Sequence, residues 1–518
     1  MATRFHNGPV YLGNARWANE LFVADGKVIA DQEFSQSPDQ EELDLQGNTL
    51  VPAFRDGHAH PLFAGGELSK LDVTNCNNLE DLGRTIIEYR KSNPTLNWIS
   101  GGAYDRSLAI GQTSTFLDQF VSDVPLVLHA DDHHTIWVNS KALEVASLKA
   151  SQLPQLRTGS IDVDEHGSPT GFLREFEATQ LIQHLAPKET TAERVAHLMR
   201  AEKLLLSSGI VEIQDAWIDE GMAEVFLKAS PNLKLDYKLL LRADPEQPER
   251  VFDYHARLVK DFSWTQNMAI QGIKYFIDGV FGSATALVSS PYDSTGNFGD
   301  CNWNLEELKE SITRSHNLGL QTHLHAIGDA GIDFALSAIQ QAEIGTLPAV
   351  IAHAEMTSPE ILAKAKQLNV TLCLQPFWAQ NNNMLLSCVQ HIGHHRKDSL
   401  YAIKDMLSLG INVAFGSDWP VSSYRPVDGI AVAIHRRSNS AMSQHNPLQA
   451  ITLEQAIDCY TSGVSRMLGN SHRGTLVVGQ DFDATVLTGN LRQKNLDEFF
   501  STEVLSVYKT GVRLLPHN

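Results

Sequence analysis

The stretch TLVPAFRDGHAHP, residues 49–61, is an apolar run that leads into two histidines spaced two residues apart. A short apolar run that ends at a glycine is typical of a buried β-strand. Residues two apart in an extended strand point to the same side, so His58 and His60 would direct both imidazoles toward one point. The stretch therefore predicts a strand that carries two candidate metal ligands at its carboxyl end.

Seven further apolar runs follow, and helical patterns lie between most of them. They are IVEIQD (210–215), LDYKLLLRA (235–243), GIKYFID (272–278), LQTHLH (320–325), AVIAH (349–353), VTLCLQ (370–375) and NVAFGSD (412–418). Eight strands that alternate with helices predict an α/β protein built as a (β/α)8 TIM barrel. The long gap between the first and second strands predicts a large insertion at about residues 66–190.

The two ends of the chain lack the alternation of strand and helix patterns that is found in its middle. Both carry short β segments separated by turn signals, as in PVYLGN (9–14) and RGTLVVGQDFDATVLTG (473–489). Neither end is long enough to bury a core alone, so we expect both termini to form one small β-sandwich domain. The predicted limits are residues 1–52 and 472–518 for the sandwich, and 53–471 for the barrel with its insertion.

The amino-acid composition disfavours two classes of binding partner for this protein. Sixty-one acidic residues against 41 Lys and Arg give a net charge of −20, which disfavours nucleic acids and anionic membranes as partners. We find no apolar run long enough to span a bilayer and no apolar signal-peptide core near Met1. The five cysteines form no CxxC pair, as expected in a reducing compartment. We therefore expect a cytoplasmic protein that acts on a small molecule, and we allow for a homodimer.

Chemistry-bearing side chains occur at the predicted strand ends, where active sites of such barrels are built. Four imidazoles and a carboxylate that converge at one barrel mouth predict a transition-metal site, with zinc the commonest choice. We expect one or two Zn2+ ions per chain. The candidate residues, in chain order, are His58, His60, Lys274, His325, His353 and Asp418.

Each of these residues also has an ordinary structural explanation. With 21 histidines, about one HxH pair is expected by chance, and His323 with His325 forms a second such pair. We assign His325 as the ligand because it comes last in its strand, and His323 to packing. His353 alone fits the core equally well, and Asp418 could simply cap the next helix. The metal interpretation is favoured by the whole set, which covers five of the eight strands.

Lys274 is the unusual member, since a protonated lysine repels a metal cation. It lies inside an apolar strand, and a partly buried lysine loses its proton readily. A neutral amine can add CO2 to form a carbamate, an anionic oxygen ligand able to bridge two metals. The sequence thus predicts a carboxylated lysine, with an ordinary surface lysine as the alternative.

The motifs VPAFRDGHAHP, HAIGD, IAHAE and FGSDWPV, together with the strand lysine, resemble the amidohydrolase superfamily of metal-dependent hydrolases. The fuller set resembles amidohydrolase family 3, the branch that contains N-substituted formamide deformylases. Its further marks occur in order along the chain: WISGGAYD, HHTIWVNSKAL, TGFLRE, GIKYFIDGVFGSATA, SDWPVSSYRPVDGI and RGTLVVGQDFDATVL. The resemblance covers essentially the whole sequence.

The resemblance implies the same barrel, the same composite sandwich and the same six metal-site residues. It also implies that His134 faces the substrate. Separately, we expect Glu175 in GFLRE to form an internal salt bridge or to line the substrate pocket, and it is the alternative anionic ligand if Lys274 is not carboxylated. The chain departs from the family pattern at Arg55, where a small apolar residue is usual, and at Ala53 and Phe482. These departures bear on local loop geometry and on substrate choice.

The implied activity is zinc-dependent hydrolysis of a C–N bond in an amide, a formamide or a cyclic amide by metal-activated water. Asp418 would act as general base and then as general acid, and either a second metal or His134 would polarise the carbonyl oxygen. One alternative is a deaminase, although the Glu expected shortly after His325 is absent and Asp329 is the nearest acid. Another is a catalytically silent binding protein, which should have lost ligands that this chain retains.

Overall fold

The computed structural model describes residues 2–130, 135–150, 152–156, 159–470 and 472–515. The chain divides into two compact units, one formed by Met1–Pro61 with Met199–Asn518 and the other by Leu62–Leu198. Within the described residues, no helix is both long enough and apolar enough to cross a lipid bilayer. The larger unit contains the predicted barrel and two smaller sheets, and the smaller unit contains a mixed sheet.

The barrel sheet has eight parallel strands that pair in chain order, which confirms the predicted TIM barrel. We number them β1 to β8: Phe54–Ala59, Ile210–Ile218, Asp236–Arg242, Met268–Phe276, Gln321–Ala326, Val350–His353, Thr371–Leu374 and Val413–Phe415. The first predicted strand is two strands in the structure, because Thr49–Pro52 pairs with Ala484–Leu487 in another sheet before β1 begins. The chain therefore passes from the sandwich into the barrel within residues 49–59.

The seam between β8 and β1 is closed by main-chain hydrogen bonds between the end of β1 and the segment that follows β8. The Asp418 N–H donates to the His58 carbonyl at 2.7 Å, and the His60 N–H donates to the Trp419 carbonyl at 2.8 Å. A Cβ atom at Gly416 would lie 2.6 Å from the His58 backbone nitrogen, so only glycine allows this approach. The closure brings the candidate residues of the first and last strands side by side.

Helices follow the barrel strands as predicted. Arg250–Asp261 shows the cause, since Val251, Tyr254 and Leu258 recur at helical spacing and are buried. The other helices of the larger unit are Asp31–Ser35, Met222–Ala229, Leu305–Asn317, Asp329–Gln341, Pro359–Gln367, Asn383–Ile392, Ile403–Ser408, Pro426–His435, Leu453–Tyr460, Ser462–Met467 and Leu496–Phe500. The helix Thr191–Ser207 contains the boundary between the two units.

Both chain ends contribute to the two remaining sheets of the larger unit. A four-stranded sheet has the order Lys27–Ile29, Leu21–Ala24, Ala2–His6 and Gln40–Asp44. A six-stranded sheet has the order Val512–Leu515, Val504–Lys509, Ala484–Leu487, Thr49–Pro52, Val10–Gly13 and Arg16–Ala18. One apolar cluster that includes Phe5, Leu50 and Phe482 joins the two sheets, which confirms the predicted β-sandwich. The residue limits predicted for the domains stay predictions.

The smaller unit corresponds to the predicted insertion. Its six-stranded sheet has the order Ser160–Val163, Pro169–Arg174, Thr135–Val138, Leu126–Ala130, Ile99–Tyr104 and Leu71–Asp72. Its helices are Pro61–Glu67 (which begins at the boundary), Leu79–Ser92, Ser114–Asp118, Ser140–Val145 and Glu175–Gln183. Trp137 is fully buried and stacks between Phe116 and Phe172, so it belongs to the core of this unit.

Arg55, the departure noted in β1, is fully buried and bonded to two carboxylates. Its Nε donates to Glu212 Oε2 at 2.9 Å, and its Nη2 donates to Asp483 Oδ2 at 2.6 Å. Asp483 directly precedes the sandwich strand Ala484–Leu487, so this guanidinium ties the barrel to the terminal sheet. A buried charge needs such partners, and Arg55 is therefore accommodated by its surroundings.

We predict that Arg55→Met lowers the free energy of unfolding by about 3–5 kcal/mol, because it removes the nearest cationic partner of two buried carboxylates. Glu212 would keep a 3.9 Å contact to Lys238, and Asp483 would keep a 3.7 Å contact to Arg473 and the hydrogen bond that it accepts from the Thr510 N–H at 2.8 Å. Chemical denaturation followed by circular dichroism measures the change.

The control is Arg4→Met, which removes an exposed arginine bonded to Glu20 and Glu42. Exposed ion pairs contribute little, so this variant should unfold like the parent. Equal effects of the two substitutions would contradict the stabilising role of the buried network.

Candidate metal centre

The histidines of residues 58–60 meet the carboxylate of Asp418 at the barrel mouth. His60 Nε2 lies 2.9 Å from Asp418 Oδ1, and His58 Nε2 lies 3.5 Å from the same oxygen. The two imidazole rings are edge to face with centroids 5.4 Å apart. The spacing of two residues thus brings both rings to one side, as predicted.

Lys274 lies at the same point and is 1% exposed, so the alternative of a surface lysine is wrong. Its Nζ is 3.4 Å from His58 Nε2 and 4.9 Å from the centre of the Phe276 ring. Burial lowers the pKa of Lys274 to about 7, against the opposing attraction of Asp418. A sizeable fraction of the amine is therefore neutral at physiological pH.

His325 and His353 complete the group from β5 and β6. Their ring centroids are 4.5 Å apart, and the His353 ring is 4.9 Å from the His58 ring. The His353 backbone has φ +72°, a left-handed conformation that non-glycine residues rarely adopt. The end of β6 is thus bent so that this imidazole faces the other strand ends.

The electrostatics of the group suit a divalent cation. Burial lowers the pKa of His58 well below its usual value and lowers the pKa of His353 to about 4, so both rings are neutral at pH 7. Burial alone would raise the pKa of Asp418, but the hydrogen bond and charge of His60 outweigh it and lower this pKa to about 2. His58, His353 and Asp418 each offer one possible ligand atom, and these three atoms lie within 4.8 Å of one another. Neutral imidazoles beside a carboxylate are a donor set that zinc accepts.

One nitrogen of each candidate imidazole faces a partner on a neighbouring element, so the other nitrogen is the one that would face an ion; in His60 that nitrogen contacts Asp418 Oδ1. The four contacts are His58 Nδ1 to His323 Nε2 at 3.0 Å, His60 Nδ1 to Asp215 Oδ1 at 3.6 Å, His325 Nε2 to the Gly279 carbonyl at 3.1 Å, and His353 Nδ1 to Gln375 Oε1 at 2.8 Å. Metal-binding histidines in proteins are usually held in this way. The residues present therefore fit a bound metal.

His60 has the opposite charge preference from the other rings. Burial lowers its pKa, but hydrogen bonds to Asp215 and Asp418 more than offset this and raise the pKa to about 9. At pH 7 the His60 ring is therefore protonated and balances part of the negative charge of Asp215 and Asp418. A metal ion that bound His60 would replace this proton and would be attracted by the same two carboxylates.

The loop that carries Asp418 is bonded to β1 through a buried carboxylate. Asp56 Oδ1 accepts hydrogen bonds from the backbone nitrogens of His58 and Ser417, and Asp56 Oδ2 accepts one from Ser417 Oγ at 2.6 Å. Asp418 itself has φ +53°, so its conformation depends on such support. Burial raises the pKa of Asp56 to about 6 despite these bonds, which leaves it mostly ionised at pH 7.

The structure thus brings together all six residues predicted for the metal site. His134 lies outside the described residues, and Glu175 lies in the smaller unit with an exposed side chain. His323, which we assigned to packing, is buried and also contacts His58. The catalytic and metal-binding roles of the six residues and of His134 stay predictions.

Three contributors were not anticipated from the sequence: Asp215, Asp278 and Gln375. Asp278 accepts hydrogen bonds from the backbone nitrogens of Ile327 and Gly328, which directly follow β5. Each of the three is the last residue of an apolar run read as a strand, so the rule that selected the ligands also points to them. Asp215 and Asp278 carry the same carboxylate as Asp418, whereas Gln375 carries an amide, which the metal criterion does not select.

The fold is a parallel barrel, and a set of side chains that could hold a metal ion lies at the carboxyl ends of its strands. A sequence profile described as the amidohydrolase family matches residues 41–514. The chain belongs to this family, and the proteins it is similar to include an N-substituted formamide deformylase and a metal-dependent hydrolase.

The chain is also similar to several named relatives and solved structures. The N-substituted formamide deformylase of Arthrobacter pascens is 25% identical over 532 residues, covering 95% of this chain and 96% of that protein. The protein LONG AFTER FAR-RED 3 of Arabidopsis thaliana is 24% identical, covering 98% of this chain and 91% of that protein. The crystal structure of an uncharacterized metal-dependent hydrolase from Pyrococcus furiosus superimposes with a TM-score of 0.75 at 25% identity, covering 94% of this chain and 98% of that one.

We predict that Ser417→Ala lowers the free energy of unfolding by about 1.5–3 kcal/mol, the range for a lost hydrogen bond to a charged group. Ser422→Ala in the same loop is the control, because Ser422 Oγ donates to the neutral Ser417 carbonyl at 2.6 Å. That loss should cost about 0.5–1.5 kcal/mol. Denaturant unfolding at pH 7 compares the two, and a smaller effect at Ser417 would contradict the importance of Asp56.

Proposed function

We propose that this protein is a zinc-dependent hydrolase that cleaves an amide, formamide or cyclic amide C–N bond in a small molecule. The convergence of His58, His353 and Asp418 carries the proposal, because their donor atoms lie within 4.8 Å of one another. The name of the Arthrobacter pascens relative supports a formamide as the first substrate to test. A cytoplasmic location and a homodimer stay predictions.

The residues that would hold one or two zinc ions are His58, His60, Lys274, His325, His353 and Asp418. When bound, zinc lowers the pKa of a coordinated water to about 7 and polarises a carbonyl oxygen. The partners of the four imidazoles support this assignment, since each partner engages one ring nitrogen and orients the ring so that the other nitrogen would face the ion.

Asp418 would take the proton from the attacking water and deliver it to the departing nitrogen. Its carboxylate is buried, ionised at neutral pH and 2.9 Å from His60 Nε2, so it is held in one place and cannot rotate freely. A base held within reach of the reacting water is what general acid–base catalysis requires. His134 is proposed, from the family resemblance, to polarise the substrate carbonyl.

Lys274 would carry the carbamate. The neutral amine attacks CO2, a new N–C bond forms, and the nitrogen loses one proton, which leaves an anionic oxygen ligand. The burial of Lys274, its pKa of about 7 and its 3.4 Å contact with His58 Nε2 support this chemistry. A carboxylated Lys274 would favour two zinc ions over one.

The alternative, a deaminase, would need Asp329 as its catalytic acid. In the structure, the Asp329 carboxylate is instead engaged in hydrogen bonds with Ser289. Both carboxylate oxygens of Asp329 accept hydrogen bonds from Ser289, one from its backbone nitrogen and one from its hydroxyl. The residue also begins the helix Asp329–Gln341, where a negative charge is favourable. These contacts favour the hydrolase.

We predict that protein purified after growth in zinc-supplemented medium contains one to two divalent ions per chain, and that the double variant His58→Ala, His60→Ala loses tight binding. Elemental analysis after dialysis measures the content. The control is His394→Ala with His395→Ala, an exposed pair in the turn His394–Ser399, which should keep the parent content. Metal-free parent protein that takes up no added zinc would refute the proposed site.

We predict that Asp418→Asn lowers the rate of hydrolysis of a confirmed substrate on the order of 10²–10⁴-fold, because it removes the general base and keeps the side-chain size. A screen of N-formyl, N-acyl and cyclic amides with zinc-loaded protein supplies the substrate. Metal content and circular dichroism should stay close to the parent.

The control for Asp418→Asn is Asp428→Asn, which changes another buried acid, one that accepts a hydrogen bond from Ser423. This variant should keep the parent rate. If Asp418→Asn also turned over substrate at the parent rate, the assignment of Asp418 as base would be wrong.

A further inference from the structure

The seventh strand carries no predicted ligand, yet the residue that follows it contacts the candidate ligand of the sixth. Gln375 directly follows β7 and is 2% exposed. Its Oε1 lies 2.8 Å from Nδ1 of His353, which is equally buried. A buried amide at this distance from an imidazole nitrogen determines which tautomer the ring adopts.

Gln375 is itself held by the turn that follows it. The Trp378 N–H donates to the Gln375 carbonyl at 3.1 Å, and Pro376 restricts the backbone of the residue before it. The Trp378 ring is parallel to the His353 ring, with centroids 5.5 Å apart and an interplanar angle of 1°. The segment 375–378 therefore brackets the His353 imidazole at one edge and on one face.

His353 depends on this bracket because the backbone on which it sits is unusual. Both His353 and Ala354 have positive φ, at +72° and +41°, and neither is glycine. Such conformations persist only where the surroundings impose them. The Ala354 N–H donates to the Ala326 carbonyl at 3.0 Å, which fixes the main chain and leaves the ring orientation to Gln375 and Trp378.

The amide of Gln375 can face His353 in two ways, with opposite consequences. When Oε1 accepts from Nδ1–H, the proton of the neutral ring is on Nδ1, and Nε2 carries a free lone pair. When the amide nitrogen donates to Nδ1 instead, the ring proton must be on Nε2, which then cannot bind a cation. Oε1 faces Nδ1 in the structure, which corresponds to the first arrangement.

We propose that Gln375 is a positioning residue that holds His353 with its proton on Nδ1 and its Nε2 free to bind a cation. The role assigned to Nε2 rests on the proposed metal site, whereas the tautomer itself is a property of the metal-free protein. The seventh strand thereby acts on the site through the ligand of the sixth.

Two substitutions at Gln375 test which orientation of its amide His353 requires. Gln375→Glu keeps the acceptor and removes the donor, whereas Gln375→Leu keeps most of the volume and removes both. Competition for Co2+ against a chromophoric chelator should show parent-like or tighter binding for Gln375→Glu, and 10–100-fold weaker binding for Gln375→Leu. The control is Gln380→Leu, another buried glutamine nearby, whose amide donates to the Phe377 carbonyl and which should keep the parent affinity.

The tautomer is measured separately, in metal-free protein labelled with ¹⁵N-histidine. Long-range ¹H–¹⁵N spectra distinguish the two ring nitrogens, and loss of one signal set in His353→Asn identifies His353. We expect the Nδ1–H tautomer in the parent and in Gln375→Glu, and a shift toward the Nε2–H tautomer in Gln375→Leu.

An Nε2–H tautomer in the parent would overturn the proposal, and so would a Gln375→Leu protein with unchanged tautomer. Equal weakening of Co2+ binding by both Gln375 substitutions would also overturn it. A parent protein that binds no Co2+ would refute the metal site, and the spectra of the metal-free protein would still decide the role of Gln375.

Discussion

The site depends on the closure of the barrel between β8 and β1. Two main-chain hydrogen bonds of 2.7 and 2.8 Å, from Asp418 to His58 and from His60 to Trp419, join the end of β1 to the segment that follows β8. The bonds are made by the candidate ligands themselves, so the contacts that close the sheet also place Asp418 beside both histidines. Gly416 permits the approach, and Asp56 secures it through Ser417. Any change that opens this seam would separate Asp418 from both histidines.

Buried charge follows a consistent rule on both sides of this seam. Arg55 in β1 is bonded to Glu212 and Asp483, whereas Asp418 is bonded to His60. A charge taken out of water is tolerated only when a partner of opposite sign is held close to it. Arg55 therefore serves to join the barrel to the terminal sheet, and the carboxylates around His60 provide the attraction that a bound cation would use.

The candidate ligands form only part of the centre, because neighbouring strands hold them in place. One imidazole each is contacted by Asp215 in β2, by Gly279 in the loop after β4 and by Gln375 after β7. In a parallel barrel every strand ends at the same rim, so residues from strands without ligands still lie beside the ligands. The precision of such a centre comes from these holding contacts as much as from the metal-binding atoms.

The sequence by itself determined the eight strands, the use of both termini in one sandwich, and the six side chains that meet at the rim. These follow from local patterns, since hydrophobic periodicity marks strands and helices, and a strand's carboxyl end locates a barrel site. Only the tertiary structure decided that Lys274 is buried, that His323 contacts His58 rather than simply packing, and that Arg55 finds its partner in Asp483. These contacts join residues far apart in the chain, and no local pattern specifies which distant side chain will satisfy a buried polar group.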